Sequence, residues 1–145
     1  MTAEIYPMPL FPLLTVTDLD ASTRFYQEAL GFANIFSMPG LAHLRWVKYA
    51  DLLLAAPRPG QPVPAPRGLG VALSFSLFDR FGGDLHALAA QARQHTAHVT
   101  GPIEQPWNIR ELTVLDPDGY RLIFTTPIDV TARFDDVIER TKASM

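Results

Sequence analysis

The chain predicts an α+β fold: two βαβββ modules with an additional C-terminal helix. Three observations predict it. An apolar pattern of strand, helix and three strands occurs twice, a proline-rich connector separates the two occurrences, and a hairpin closes the second at Asp116-Pro117-Asp118-Gly119. The modules fall at about 9–56 and 70–126, the connector at 57–67 and the last helix at 129–144, within a single domain of 145 residues that is long enough to bury a core. The repeat is one of pattern, since few letters match between the halves.

The first strand is expected near Pro9–Val16. Asp18 or Asp20 caps the following helix by accepting free backbone N–H groups, and Leu19, Phe25, Tyr26, Ala29 and Leu30 share one side at helical spacing. Gly31 ends that helix in a left-handed conformation. Strands follow at Phe32–Ser37, Leu41–Tyr49 and Leu52–Ala56, with turns at Pro39-Gly40 and Ala50-Asp51. Prolines 57, 59, 62, 64 and 66 exclude a helix or central strand and give a semi-rigid link.

In the second half Val71–Phe78 is a strand, and Asp79 stands where Asp18 stood. A helix at Asp84–His95 buries Leu85, Leu88, Ala89 and Ala92. Strands near Val99–Ile103, Ile109–Leu115 and Tyr120–Thr126 complete the module. Asp, Pro and Gly at the first, second and fourth positions of the last turn suit type I. The tail places Val130, Phe134, Val137, Ile138 and Thr141 on one helical face. That face either packs on its own domain or serves as a dimer contact or cleft cover.

Composition narrows the function classes. The net charge is −3 and the pI about 5.7, with no basic patch, so nucleic acid is not an expected partner. The absence of cysteine excludes disulfides, thiolate nucleophiles and Cys-bound zinc. No signal peptide and no apolar run of membrane-spanning length is evident, so a cytoplasmic protein without a membrane partner is expected. There is no phosphate loop, nucleotide fingerprint or Ser-His-Asp order. His95 and His98 have a spacing that can serve zinc, but they straddle a helix end without an acidic third ligand nearby in sequence.

Gln105-Pro106-Trp107, then Arg110-Glu111, then Asp116-Pro117-Asp118-Gly119 and a short apolar strand resemble the end of bleomycin-resistance proteins. Those proteins belong with glyoxalases and dioxygenases in the vicinal oxygen chelate superfamily. Pro12-Leu13-Leu14-Thr15-Val16-Thr17-Asp18-Leu19-Asp20-Ala21-Ser22, followed by Phe25-Tyr26 and Leu30-Gly31-Phe32, resembles that group's first strand and helix. The two motifs in this order speak strongly for the fold and weakly for any substrate. The resemblance implies curved sheets around a cleft, and a homodimer.

It also implies where metal ligands would stand. In metal-dependent members one lies seven residues before the Asp that opens each helix, here Phe11 and Ala72. Another lies four residues after the turn glycine, here Ile123, and the fourth falls near Leu53 or Leu54. No His, Glu, Gln or Asp lies within two residues of Phe11, Ala72 or Ile123. A divalent ion needs nitrogen or oxygen ligands. The expectation is therefore a chain with no metal and no other cofactor, which binds and sequesters a mostly apolar aromatic small molecule rather than turning it over. The alternatives are a metal-dependent lyase, isomerase or dioxygenase, or a metal-free enzyme using Glu111, Arg121 or a histidine.

Strand alternation assigns the cleft lining. Phe11, Leu13 and Thr15 share one side, Ala72, Ser74, Ser76 and Phe78 another, and Arg121, Ile123 and Thr125 a third. Trp107 matches the ring that stacks on the ligand in the resembling proteins; otherwise it is a half-buried strand-end Trp. Phe36 matches an aromatic near their cleft. Trp46 is open between cleft and core, and Arg45 and Arg121 between solvent and a ligand carboxylate or phosphate. Arg110 and Glu111 point to opposite faces and are expected to pair across the sheet. His43 belongs to the cleft only if His43, Arg45 and Val47 are the inward set. No catalytic residue is assigned.

Overall fold

The structure is a computed structural model and describes residues 3–76 and 84–145. The readings placed on Leu77, Phe78 and Asp79 lie outside the described residues. The elements are β1 (Leu13–Thr15), α1 (Leu19–Leu30), β2 (Ala33–Met38), β3 (Leu41–Arg45), β4 (Asp51–Ala55), β5 (Ala72–Ser76), α2 (Leu85–Arg93), β6 (Val99–Gln105), β7 (Ile109–Leu115), β8 (Arg121–Pro127) and α3 (Phe134–Ala143). They form two four-stranded mixed sheets, ordered β1-β4-β3-β2 and β5-β8-β7-β6. The α+β reading and its twice-used βαβββ order are what the chain adopts.

Two compact units result, one holding residues 3–70 with 116–120, the other 71–76, 84–115 and 121–145. In the first unit β1 runs parallel to β4, and β3 is antiparallel to both its neighbours. Asp18 caps α1 by accepting from Ala21 N–H, and Gly31 ends it at φ +76°. One face of the sheet packs on α1. Leu14, Val16, Ala42, Leu44, Leu52 and Leu54 are buried there with Tyr26, Ala29 and Leu30.

The turn residues 116–120 group with this first unit and lock onto α1. Tyr26 donates its hydroxyl to Asp116 Oδ2 at 2.9 Å, and both residues are buried. Asp116 Oδ1 accepts from Asp118 N–H and Tyr120 N–H, while Gly119 N–H returns to the Asp116 carbonyl as a type I turn requires. Asp118 accepts from the Thr17 hydroxyl at 2.8 Å and lies 3.2 Å from Arg67 Nε. Burial raises the Asp116 pKa above the usual carboxylate range, against the hydrogen bonds from Tyr120, Tyr26 and Asp118. Burial and the neighbouring Asp116 carboxylate raise Tyr26 well above the ordinary phenol.

In the second unit β5 runs parallel to β8, and β7 is antiparallel to β6 and β8. Phe75, Leu112, Val114, Leu122 and Phe124 are buried with Leu85, Ala89 and Ala92 of α2. The Phe75 and Phe124 rings stack at 5.2 Å. Asp84 caps α2 through Ala87 N–H.

Several boundaries differ from the sequence reading. The first strand is only Leu13–Thr15, because Pro9 and Pro12 have no N–H to give a ladder. β3 stops at Arg45 rather than Tyr49, since a turn closes with Trp46 N–H on the Ala50 carbonyl and Tyr49 adopts φ +66°. Asp51 consequently belongs to β4 and not to a turn. The final helix begins at Phe134 rather than 129. Asp129 folds its carboxylate onto the Thr131 N–H and hydroxyl, which holds 129–131 in a turn.

Candidate functional site

Each sheet has a face that its own helix leaves uncovered, and register fixes which side chains stand on it. In the first sheet β3 buries Ala42 and Leu44 toward α1, with Trp46 just beyond the strand end, so Leu41, His43 and Arg45 point the other way. His43 is opposite Leu53 on β4 and Phe36 on β2. Leu53 is opposite Leu13, and Thr15 is opposite Ala55. Phe11, Leu13, Phe36 and Met38 are each about half exposed, a concentration of apolar surface of the kind that marks a ligand or partner site.

A polar cluster interrupts this apolar face. Asp51 sits opposite Arg45 in register, and its side chain is 6% exposed. Arg45 donates from Nε to Asp51 Oδ1 at 2.7 Å and from Nη2 to Oδ2 at 2.9 Å. His43 Nε2 lies 2.7 Å from Asp51 Oδ2. Burial alone would raise the Asp51 pKa. The hydrogen bonds from Arg45 and His43, with the Arg45 charge, outweigh it and hold the carboxyl below its usual value. An ionised carboxylate only accepts, so the shared proton of the His43 contact is on Nε2.

The N-terminal segment borders the cluster. Arg45 Nη1 donates to the Glu4 carbonyl, its guanidinium carbon lies 4.4 Å from the centre of the Tyr6 ring, and Tyr6 accepts from Tyr49 N–H through its hydroxyl. Arg45 is thereby committed to the protein and is not offered to a ligand carboxylate.

Two cavities open on this face. One of about 120 Å³ is lined by Tyr6, Met8, Phe11, His43, Asp51 and Leu53. The other, about 410 Å³, is bounded by Leu13, Thr15 and Ala55 and by connector residues from Arg58 to Pro64. The connector is a wall of this cavity as well as a link.

In the second sheet the uncovered face carries Ala72, Ser74 and Ser76 opposite Arg121, Ile123 and Thr125. Glu111 and Thr113 stand opposite Thr125 and Ile123 on the other side. Thr125 donates its hydroxyl to Ser76 Oγ at 3.1 Å, and Gln105 Nε2 donates to Glu111 Oε2 at 3.1 Å. Arg110 points away and pairs with Glu104 directly across the ladder at 2.9 Å. Glu111 therefore has an amide partner rather than the charged cross-strand partner expected of it. Trp107 occupies the β6–β7 turn, 43% exposed. Asn108 beside it adopts φ +69° and clamps the turn to Ile128 and Asp129 through three hydrogen bonds.

Of the sequence-assigned residues, Phe11, Leu13 and Phe36 share the first uncovered face, and Ser74, Ser76, Arg121 and Ile123 share the second. Trp46 is on neither. It is 6% exposed, stacks on Phe32 at 6.4 Å and donates its indole N–H to the Leu30 carbonyl at 3.2 Å, so it is a core residue. Asp51, read as a turn residue, opens β4 and is the candidate site group the sequence reading missed. The positions matched to metal ligands (Phe11, Ala72 and Ile123, with Leu53 as the outward one of the two candidates for the fourth) carry carbon side chains. Leu54 is buried against α1. These four side chains do not fit a divalent ion. Among the described residues no group of three or more His, Asp or Glu is placed to hold one.

The chain matches the Glyoxalase/Bleomycin resistance protein/Dioxygenase superfamily over residues 10–124. A glyoxalase/bleomycin resistance protein/dioxygenase from Nocardioides shares 23% identity at a TM-score of 0.62, covering 90% of this chain and 91% of that one. A lactoylglutathione lyase from Agrobacterium tumefaciens shares 18% identity at a TM-score of 0.59, covering 83% and 94%. TioX from Micromonospora sp. shares 18% identity at a TM-score of 0.60, covering 81% and 97%. A search of curated proteins gave no match. The chain belongs to the glyoxalase/bleomycin resistance/dioxygenase superfamily. No helix among its described residues is long and apolar enough to cross a membrane.

Proposed function

We propose that this chain is a metal-free small-molecule-binding member of the superfamily, which sequesters a mostly apolar, aromatic ligand in the manner of bleomycin-resistance proteins. The observation that supports it is the uncovered face of the first sheet. Phe11, Leu13 and Leu53 present carbon at and beside the positions where metal-dependent relatives need donors, and a cavity opens against them. Flat apolar ligands with a polar edge suit such a wall, because apolar contact gives affinity and a few polar groups fix orientation. In this reading Phe36 belongs to that lining, Ser74, Ser76, Arg121, Ile123 and Trp107 are the ligand-binding residues of the second unit, and a second copy of the chain pairs with the first. The exposed apolar residues Val130 and Phe134 suit such pairing.

The test is a panel of flat aromatic compounds titrated against the intrinsic fluorescence of Trp107. Saturable, one-to-one quenching without turnover supports sequestration. Trp107→Ala then weakens binding by about 2 kcal/mol or more if the ring is a central anchor. Unchanged affinity removes Trp107 from the site.

A second reading has one observation in its favour. Glu111 is a half-buried carboxylate on the second uncovered face whose hydrogen-bond donor is a neutral amide. A metal-free acid–base enzyme would use it, and multiple turnovers of a bound compound, lost in Glu111→Gln, would establish that reading instead.

A further inference from the structure

The His43–Asp51 pair stands apart from the apolar core under α1. His43 lies on the sheet face away from α1, yet its ring is held in one orientation by a carboxylate that is itself fixed by two bonds from Arg45. A buried carboxylate on an apolar face costs desolvation, and the geometry of this pair is over-determined for a surface histidine. In the neutral imidazole the proton on Nε2 leaves Nδ1 as an acceptor. Nδ1 has no hydrogen-bond partner among the described residues, and the His43 side chain is 29% exposed where Asp51 is 6%, so the ring is the more reachable of the two. His43 also lines the 120 Å³ cavity, where Phe11, Met8, Leu52 and Leu53 supply apolar wall and Asp51 and Tyr6 the other polar groups.

We propose that His43 is the polar anchor of the ligand site, and that Asp51 is its positioning residue. The ligand is an aromatic compound bearing a phenolic O–H or a ring N–H, which donates to Nδ1 while its ring lies against Phe11 and Leu53. This rests on the small-molecule reading above and adds the chemical class of the ligand to it.

The test uses a matched pair of probes, 2-naphthol and 2-methoxynaphthalene, in which a methyl group replaces the donated hydrogen. The wild-type protein is expected to bind the naphthol about tenfold more tightly, the factor that one hydrogen bond of ordinary strength gives. His43→Gln keeps a donor for Asp51 but has no group at the Nδ1 position. It is expected to bind both probes with the weaker affinity. Nitrogen-15 spectra of the imidazoles supply a readout that a merely structural pair would not move. His43, assigned by its loss in His43→Gln, should show the Nε2–H tautomer in wild type and a tautomer mixture in Asp51→Asn, and its Nδ1 signal should shift with naphthol only. Equal binding of the two probes, or a preference retained in His43→Gln, overturns the anchor and leaves the binding reading standing. Failure of both probes to bind overturns the anchor together with the aromatic-ligand reading.

Discussion

Tyr26→Phe removes one atom from the first unit and tests how the Asp116 turn is held. The Tyr26 hydroxyl donates to Asp116 Oδ2 at 2.9 Å inside the core, where Tyr26 is 0% exposed and Asp116 4%. The two remaining donors to this carboxylate, Asp118 N–H and Tyr120 N–H, both serve Oδ1. The substitution therefore strands Oδ2 without a partner. Loss of a hydrogen bond to a charged buried group costs about 1.5–3 kcal/mol, or roughly 5–10 °C of Tm for a chain of this size. The penalty depends on pH in a defined direction. Because burial raises the folded-state pKa of Asp116, the folded chain binds more protons than the unfolded one between the ordinary carboxylate range and that raised value, and stability falls as pH rises through this window. Tyr26→Phe removes a bond that favours the charged form, so it raises that pKa further and deepens the fall. Urea titration followed by Trp46 fluorescence in a Trp107→Phe background reports this unit. The loss should be largest near neutral pH and smaller at the acid end of the window. A change under about 0.5 kcal/mol at neutral pH, or an equal penalty at both pH values, would falsify the argument.

Three further outcomes follow from local geometry. Gly101→Ala should destabilise the second unit by about 2 kcal/mol or more in chemical denaturation, because φ is +102° and the new Cβ would meet the Glu111 carbonyl oxygen at 2.5 Å; a neutral effect would show that the bulge between Thr100 and Ile103 is not as described. Asp51→Asn should cost about 2 kcal/mol or more near neutral pH, since it leaves Arg45 without its ionised partner. Asp51 has a lowered folded-state pKa, so its contribution is present above the ordinary carboxylate value and is lost as pH falls through the lowered one; variant and wild type should therefore converge in acid denaturation. Trp107→Phe should alter stability by less than about 0.5 kcal/mol, because the ring is 43% exposed, while abolishing most ligand-induced quenching.

The fold was legible because local signals and tertiary packing agree. Asp18, Gly31 and the Asp116–Gly119 turn do in the structure what their residue types favour. The apolar sets at Leu19–Leu30 and Leu85–Ala92 are the ones the sheets need. The site was less legible. Ala42, Leu44 and Trp46 form an unbroken apolar alternation, which is the signal that turns His43 and Arg45 outward and draws Trp46 into the core. A strand assigned four residues too long masked that phase, because the left-handed Tyr49 is not marked by glycine. Asp51 was hidden for another reason. An Asp next to a turn is ordinarily a turn residue, and only the pairing of Arg45 with Asp51 across the ladder shows that it begins a strand. Glu111 points to the uncovered face as alternation requires, but its neutral partner Gln105 lies two registers from its own pair and carries no sequence signature.

The most direct test of a metal-free binding site is metal stoichiometry by elemental analysis, after incubation with manganese, nickel and zinc ions and removal of the unbound excess by desalting. Carbon side chains at Phe11, Leu53, Ala72 and Ile123, each at a position matched to a metal ligand, predict far less than one ion retained per chain, with ligand binding unaltered by a chelator. One tightly held ion per chain, together with loss of ligand binding when it is removed, would contradict the account and favour the metal-dependent chemistry of the superfamily.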